Sequence, residues 1–230
     1  MGRELAMTVK IVQNWLPQSK YYHKASYDMQ PKGIIVHNTA GAASAMEEAN
    51  RMISNNSPIS FHVVIDEKEA VECIPFSHNA WHAGDGGYGF ANRNLIGIEI
   101  SRSTSLQDLY LKAEANAVVY VAGVLKQYGW GVDKLYKHKQ FSATACPHRT
   151  EALGWQRFIN KVQKELDNSK KQPDIKKPTQ KTSKWYQKDV DEMKALKLTT
   201  GERLEDNLKR GEAIALLNRM RKYLLKKEGR

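Results

Sequence analysis

Long apolar runs are missing from this chain. No segment approaches the roughly 18 consecutive apolar residues that a membrane-spanning helix needs, which excludes a helical transmembrane protein. The opening Met-Gly-Arg-Glu-Leu-Ala-Met has no apolar stretch followed by a cleavage site, so no secretory signal is expected and the protein is expected to be made in the cytoplasm. Cysteine is scarce as well. Two thiols, Cys73 and Cys146, in 230 residues exclude a disulfide framework. Cys73, in Ala-Val-Glu-Cys-Ile-Pro, reads as a buried core thiol, whereas Cys146 lies among polar residues and suits a ligand better.

What remains is the composition of a soluble globular chain, 41% hydrophobic and 27% charged. The length predicts one domain of ordinary size with a small appendage. The net charge of +11 is uneven. Residues 1–166 carry 18 basic and 15 acidic side chains, while residues 167–230 carry 18 and 10, a balance of +8. Attraction to a polyanion therefore belongs to the tail, and charge alone does not choose between nucleic acid, membrane and wall polymer.

The stretch from His138 to Cys146, followed by Pro147, separates an imidazole and a thiol by small and polar residues. Such a pair can hold one metal ion. Zinc accepts mixed nitrogen and sulfur donors, and a catalytic site needs three protein ligands with a position left over. His37, at the end of the apolar run Gly33 to Val36, is the candidate third ligand.

Periodicity predicts the elements around these residues. Gly33 to Val36 reads as a buried strand, and Ala43 to Ser54 as a helix with Met46, Ala49, Met52 and Ile53 on one face. Phe61 to Ile65 and Ala70 to Ile74 read as a hairpin. Residues 79–90 form a glycine-rich loop carrying Trp81 and His82, expected at the rim of a cleft. Leu95 to Ile100 is a strand with Glu99 set in an apolar run. Tyr110, Ala113, Ala117, Val121, Val124 and Tyr128 line one face of a long helix that Gly129 ends. A closing helix over Gly154 to Leu166 turns Trp155, Phe158, Ile159, Val162 and Leu166 inward. The predicted class is α/β: a mixed central sheet flanked by helices over residues 1–166, a linker over 167–183, and a small all-α module over 184–230 built on Val190, Met193 and Leu196, then Ala213, Ile214, Leu217, Met220 and Leu224.

Five ordered motifs then resemble a family. They are Ile35-Val36-His37-Asn38-Thr39-Ala40, Ser60-Phe61-His62-Val63, Ala80-Trp81-His82-Ala83-Gly84, Ile96-Gly97-Ile98-Glu99-Ile100, and His138 with Cys146-Pro147. Together they resemble the zinc-dependent N-acetylmuramoyl-L-alanine amidases of type 2, which include phage endolysins, bacterial autolysins and peptidoglycan-recognition proteins. The resemblance covers about residues 30–166. It implies peptidoglycan as substrate, one zinc ion on His37, His138 and Cys146, and Glu99 as general base. The family commonly has Lys two residues before the cysteine and Tyr before the hairpin histidine; here these are Thr144, expected to assist the oxyanion, and Phe61. Phe61, His62, Trp81 and His82 are the expected substrate-binding positions, His62 being equally readable as a core residue. In the tail, Trp185, Tyr186, Met193 and Leu196, then Leu208 to Arg219, are similar to S-layer-homology wall-binding modules, which implies anionic wall polymer as a partner through Trp185, Arg210 and Glu212.

The expectation is an endolysin, monomeric and not membrane-inserted, acting on the wall after release. Two alternatives stand beside it. A protein that binds peptidoglycan without cutting it predicts a missing metal ligand. A nucleic-acid-binding protein is prompted by the charge, but no DNA- or RNA-binding module is visible and the zinc-deaminase pattern is absent.

Overall fold

The computed structural model describes residues 9–171. The elements, in chain order, are β1 (Lys10–Gln13), a 3-10 turn (Gln18–Lys20), α1 (Tyr21–Lys24), β2 (Gly33–Asn38), α2 (Ala45–Ser54), β3 (Val63–Ile65) and β4 (Glu69–Glu72). There follow α3 (Phe90–Asn94), β5 (Leu95–Ile100), α4 (Gln107–Tyr128), a 3-10 turn (Val132–Lys134), β6 (Leu135–Lys137), a further 3-10 turn (His138–Gln140), α5 (His148–Ala152) and α6 (Trp155–Lys171). The six strands form one mixed sheet in the order β1-β4-β3-β5-β2-β6. Only β3 and β4 pair antiparallel, as the expected hairpin; every other neighbour is parallel.

Alternation along the central strands sorts side chains to two faces. Ile34 and Val36 of β2 and Ile96, Ile98 and Ile100 of β5 join a cluster with Tyr110, Ala113, Ala117 and Val121 of α4 and Phe158, Val162 and Leu166 of α6. Burying each of these large aliphatic side chains is worth roughly 1.5–3 kcal/mol. Helices α4 and α6 thus cover one face, pinned by the buried Glu114, which accepts from Arg157 at 2.6 Å and lies 3.4 Å from Lys161. The opposite face carries Val64, Val71 and Cys73 against Ala45, Ala49 and Met52 of α2, and it also carries the polar groups of the site.

Local chemistry fixes the boundaries. Ser44 and Glu47 make a reciprocal capping box at the start of α2, satisfying amides that the first turn leaves free. The buried Asp66 accepts from the amides of Ala45, Lys68 and Glu69, so one carboxylate ties α2 to the hairpin turn. Gly129 ends α4 in a left-handed conformation, φ 68°, the geometry that favours glycine.

Several elements depart from the sequence reading. The polar, Tyr-rich segment before Gly33, for which the sequence predicted no element, contains β1, the 3-10 turn and α1; β1 is an edge strand whose pairing with β4 is tertiary. The closing helix continues to Lys171, so residues 167–171 are helical and not linker. They contain neither Gly nor Pro, and Gln163 Nε2 donates to Asp167 at 2.9 Å one turn on. The linker from residue 172 and the helical module over 184–230, with Trp185, Arg210 and Glu212, lie outside the described residues. Among the described residues, no helix is long and apolar enough to cross a membrane.

Candidate metal centre and cleft

Three adjacent parallel strands deliver the site. In register, His37 of β2 sits opposite Glu99 of β5, so both side chains leave the same face near the C-terminal ends of their strands. On the other side of β2, β6 ends at Lys137 and His138 follows directly. The loop after His138 returns Cys146 to the end of β2, where its sulfur accepts from the Asn38 amide at 3.3 Å. Candidate donor atoms of His37, His138 and Cys146 all lie within 4.8 Å of one another.

Asn38 welds this arrangement. Its side-chain oxygen accepts from the amides of Arg149 and Thr150 at 2.9 and 3.0 Å, at the start of α5, and its nitrogen donates to Tyr110 Oη and Thr150 Oγ1. The end of β2 is thereby fastened to the helix that follows the cysteine. Sequence reasoning placed Asn38 in a motif but gave it no task; its signal was a polar residue closing a buried strand.

The ring nitrogens are committed in a way that suits a metal. His37 Nε2 lies 3.0 Å from His82 Nδ1, leaving Nδ1 toward Cys146 Sγ at 3.7 Å. His138 Nε2 lies 3.1 Å from the Ala83 carbonyl, so that nitrogen donates and Nδ1 keeps the lone pair. Burial first, then the neighbouring His82 and His138 rings, hold His37 well below the usual imidazole range. Burial, with the nearby Glu99 carboxylate, pushes the Cys146 thiol up to about 12. Burial and Glu48 push Glu99 up to about 8, and its Oε2 is a buried atom without a hydrogen-bond partner. Two neutral imidazoles, a thiol and a carboxyl, all disfavoured as ions by burial alone, form a donor set that a dication would stabilise as thiolate and carboxylate. The residues fit zinc: two nitrogens and one sulfur, with the fourth side open to the cleft.

That cleft has a volume of about 950 Å³, in the range of sites that bind small ligands or short oligomers. His37, Glu99, His138, Thr144 and Cys146 line its floor, and Trp81, His82, Gly84 and Gly86 of the glycine-rich loop line one wall, as the sequence suggested. Thr144 Oγ1 accepts from the Cys146 amide at 3.2 Å, so its hydroxyl hydrogen remains free to donate.

Two expected substrate contacts need correction. Phe61 is not part of the cleft lining; it precedes β3 and packs in the cluster with Leu16, Ala45 and Ile74. His62 is fully buried, accepting from the Gly97 amide at 2.9 Å through Nδ1 and donating to the His78 carbonyl through Nε2. Both nitrogens are consumed, so it holds the sheet and touches no ligand. The rim residues Pro58 and Ile59, and His148, line the cleft without having been singled out as contacts.

Residues 27–149 match the family described as N-acetylmuramoyl-L-alanine amidase. The chain is similar to N-acetylmuramoyl-L-alanine amidase CwlA of Bacillus subtilis (strain 168), with 40% identity over 77% of this chain and 68% of that protein. It is also similar to N-acetylmuramoyl-L-alanine amidase XlyB of the same strain, with 41% identity over 70% of this chain; there the match spans 51% of the relative's length. Among solved structures, PlyL shares 42% identity with a TM-score of 0.65, covering 69% of this chain and 99% of that one.

Proposed function

The chain belongs to the N-acetylmuramoyl-L-alanine amidase family, and on that premise we propose that it hydrolyses the amide between the lactyl carbonyl of N-acetylmuramic acid and L-alanine in peptidoglycan, using one zinc ion on His37, His138 and Cys146. The observation that carries this reading is the convergence of two imidazoles and a thiol at the floor of an open cleft, with a buried, unpartnered carboxyl beside them. The binding-only alternative predicted a missing ligand, and none is missing.

A zinc ion held there supplies Lewis acidity, polarising a carbonyl and acidifying water. The chain's own groups do the rest. Glu99, ionised beside the dication, takes the proton from the attacking water and hands it to the alanine nitrogen as the C–N bond breaks, a role worth about 10²–10⁴ in rate. The free Thr144 hydroxyl donates to the oxygen on which negative charge develops. The Trp81 indole and Ile59 offer apolar wall to sugar and peptide.

As a monomeric endolysin-type enzyme, the chain would reach the wall with its basic residues 167–230 drawn to anionic wall polymer, Trp185, Arg210 and Glu212 being the proposed contacts. Purified sacculi digested with and without a chelator test the reaction. New L-alanine amino termini without new reducing sugars, abolished by the chelator and restored by zinc, are expected; reducing sugars or chelator resistance would refute it. For the tail, Arg210→Ala with Glu212→Ala in the full chain should weaken sedimentation with walls while leaving hydrolysis of soluble muropeptide intact.

A further inference from the structure

Each histidine of the metal group must present one nitrogen and hide the other, and a single clamped dipeptide decides this for both. His82 Nε2 lies 3.2 Å from the Leu95 carbonyl, which can only accept, so Nε2 carries the proton and Nδ1 the lone pair. That lone pair faces His37 Nε2 at 3.0 Å, which must therefore donate, leaving His37 Nδ1 bare toward Cys146. The next residue's carbonyl, Ala83, lies 3.1 Å from His138 Nε2, and Ser142 Oγ lies 2.9 Å from the same nitrogen; a carbonyl can only accept and a hydroxyl can turn to accept, so Nε2 donates and His138 Nδ1 is left bare in the same way. The amides of His82 and Ala83 both donate to Asn92 Oδ1, at 2.9 and 2.8 Å. The dipeptide is thus fixed from behind by one side chain.

Gly97 makes room for it. A Cβ there would come within 2.8 Å of His82 Cγ and Cδ2, and the β5 backbone at Gly97 is held because its amide donates to His62 Nδ1 and its carbonyl accepts from the His62 amide. Gly97 is not among the glycines with positive φ, so space for the imidazole, and not backbone freedom, is what requires glycine.

We infer that His82 and Ala83, clamped by Asn92 and seated on Gly97, form a template that fixes the tautomer of both histidine ligands, with His82 acting as a positioning residue through the ligand rings. This rests on the zinc reading above. Partners that hold a ligand histidine's second nitrogen typically contribute 10–100-fold in metal affinity.

The test uses the full chain. Nitrogen-15 NMR of the metal-free wild type should show both His37 and His138 protonated at Nε2; a proton on Nδ1 of either ring overturns the template, whatever the protein's activity. Competitive zinc titration should show a 10–100-fold loss of affinity for His82→Ala and for Gly97→Ala, with partial recovery in His82→Asn, which restores an acceptor near Nδ1. Affinity within twofold of wild type in a His82→Ala protein with an unchanged circular dichroism spectrum overturns it as well. Should the wild type bind no zinc, the functional reading fails separately, and the NMR result still decides the tautomers.

Discussion

Glu99 is the residue whose environment most plainly exceeds what folding needs: a carboxyl in an apolar strand, facing a cleft, with one buried oxygen unpartnered. Glu99→Gln should lower kcat on sacculi by about 10²–10⁴ while zinc stoichiometry, read by atomic emission, stays at one; undiminished turnover would remove it as the base. His62 carries a different burden. Burial lowers its pKa from 6.5 to about 4, against the opposing pull of the His78 carbonyl. The unfolded chain therefore takes up a proton as pH falls through 6.5 while the folded one does not. Stability from this residue is complete above pH 6.5 and declines toward pH 4, by about 3 kcal/mol in all. Urea midpoints measured across that window should slope down with acid in the wild type and slope less in His62→Gln.

At the scale of elements, two cations that engage buried groups are informative. Lys24 is fully buried and its ammonium donates to Asn55 Oδ1 and to the Ser57 and Ile59 carbonyls, holding the segment that supplies Pro58 and Ile59 to the cleft rim. Lys24→Met should raise KM for sacculi about three- to tenfold with kcat nearly kept, because a loosened rim weakens binding more than chemistry. Arg157→Ala strips Glu114 of its nearer partner and should cost about 1–2 kcal/mol in urea unfolding. That is below the range for a wholly unpaired buried charge, because Lys161 remains at 3.4 Å and Arg157 itself is partly exposed. Elements with a strong internal signal were legible in advance: α4 by its apolar period and terminal glycine, β2 and β5 by their aliphatic runs, the β3–β4 hairpin by alternation. Those that were not, β1, α1, α3, β6 and α5, are only three to five residues long and exist because neighbours complete them. Likewise His37, His138, Cys146 and Glu99 were readable as types in order, whereas Asn38, Asn92 and the Ala83 carbonyl act through geometry that no spacing encodes.

Over the whole molecule, a zinc ion that binds only the folded chain should stabilise it by about 2.7 kcal/mol when free zinc is a hundredfold above Kd. For a chain of this size that corresponds to a Tm rise of about 5–10 °C, seen by calorimetry with and without chelator; an unchanged Tm would argue that the three donors do not share an ion. If the tail binds wall polymer as proposed, its basic excess would give wall affinity a salt-dependent component, read as weaker sedimentation with walls at higher ionic strength.

Strand β2 is hydrogen-bonded on both sides, to β5 and to β6, whereas Cys146 rides on a loop between a 3-10 turn and α5. The two sides of the proposed metal grip therefore differ in what holds them. His37 is held by strand pairing on both sides, whereas Cys146 is held by loop hydrogen bonds, its sulfur accepting from the Asn38 amide and its carbonyl from the Lys139 amide. Amide exchange should accordingly be slower at residues 34–37 than at residues 139–145, so that a chain stripped of its ion would keep the strand half of the socket standing and reload without refolding.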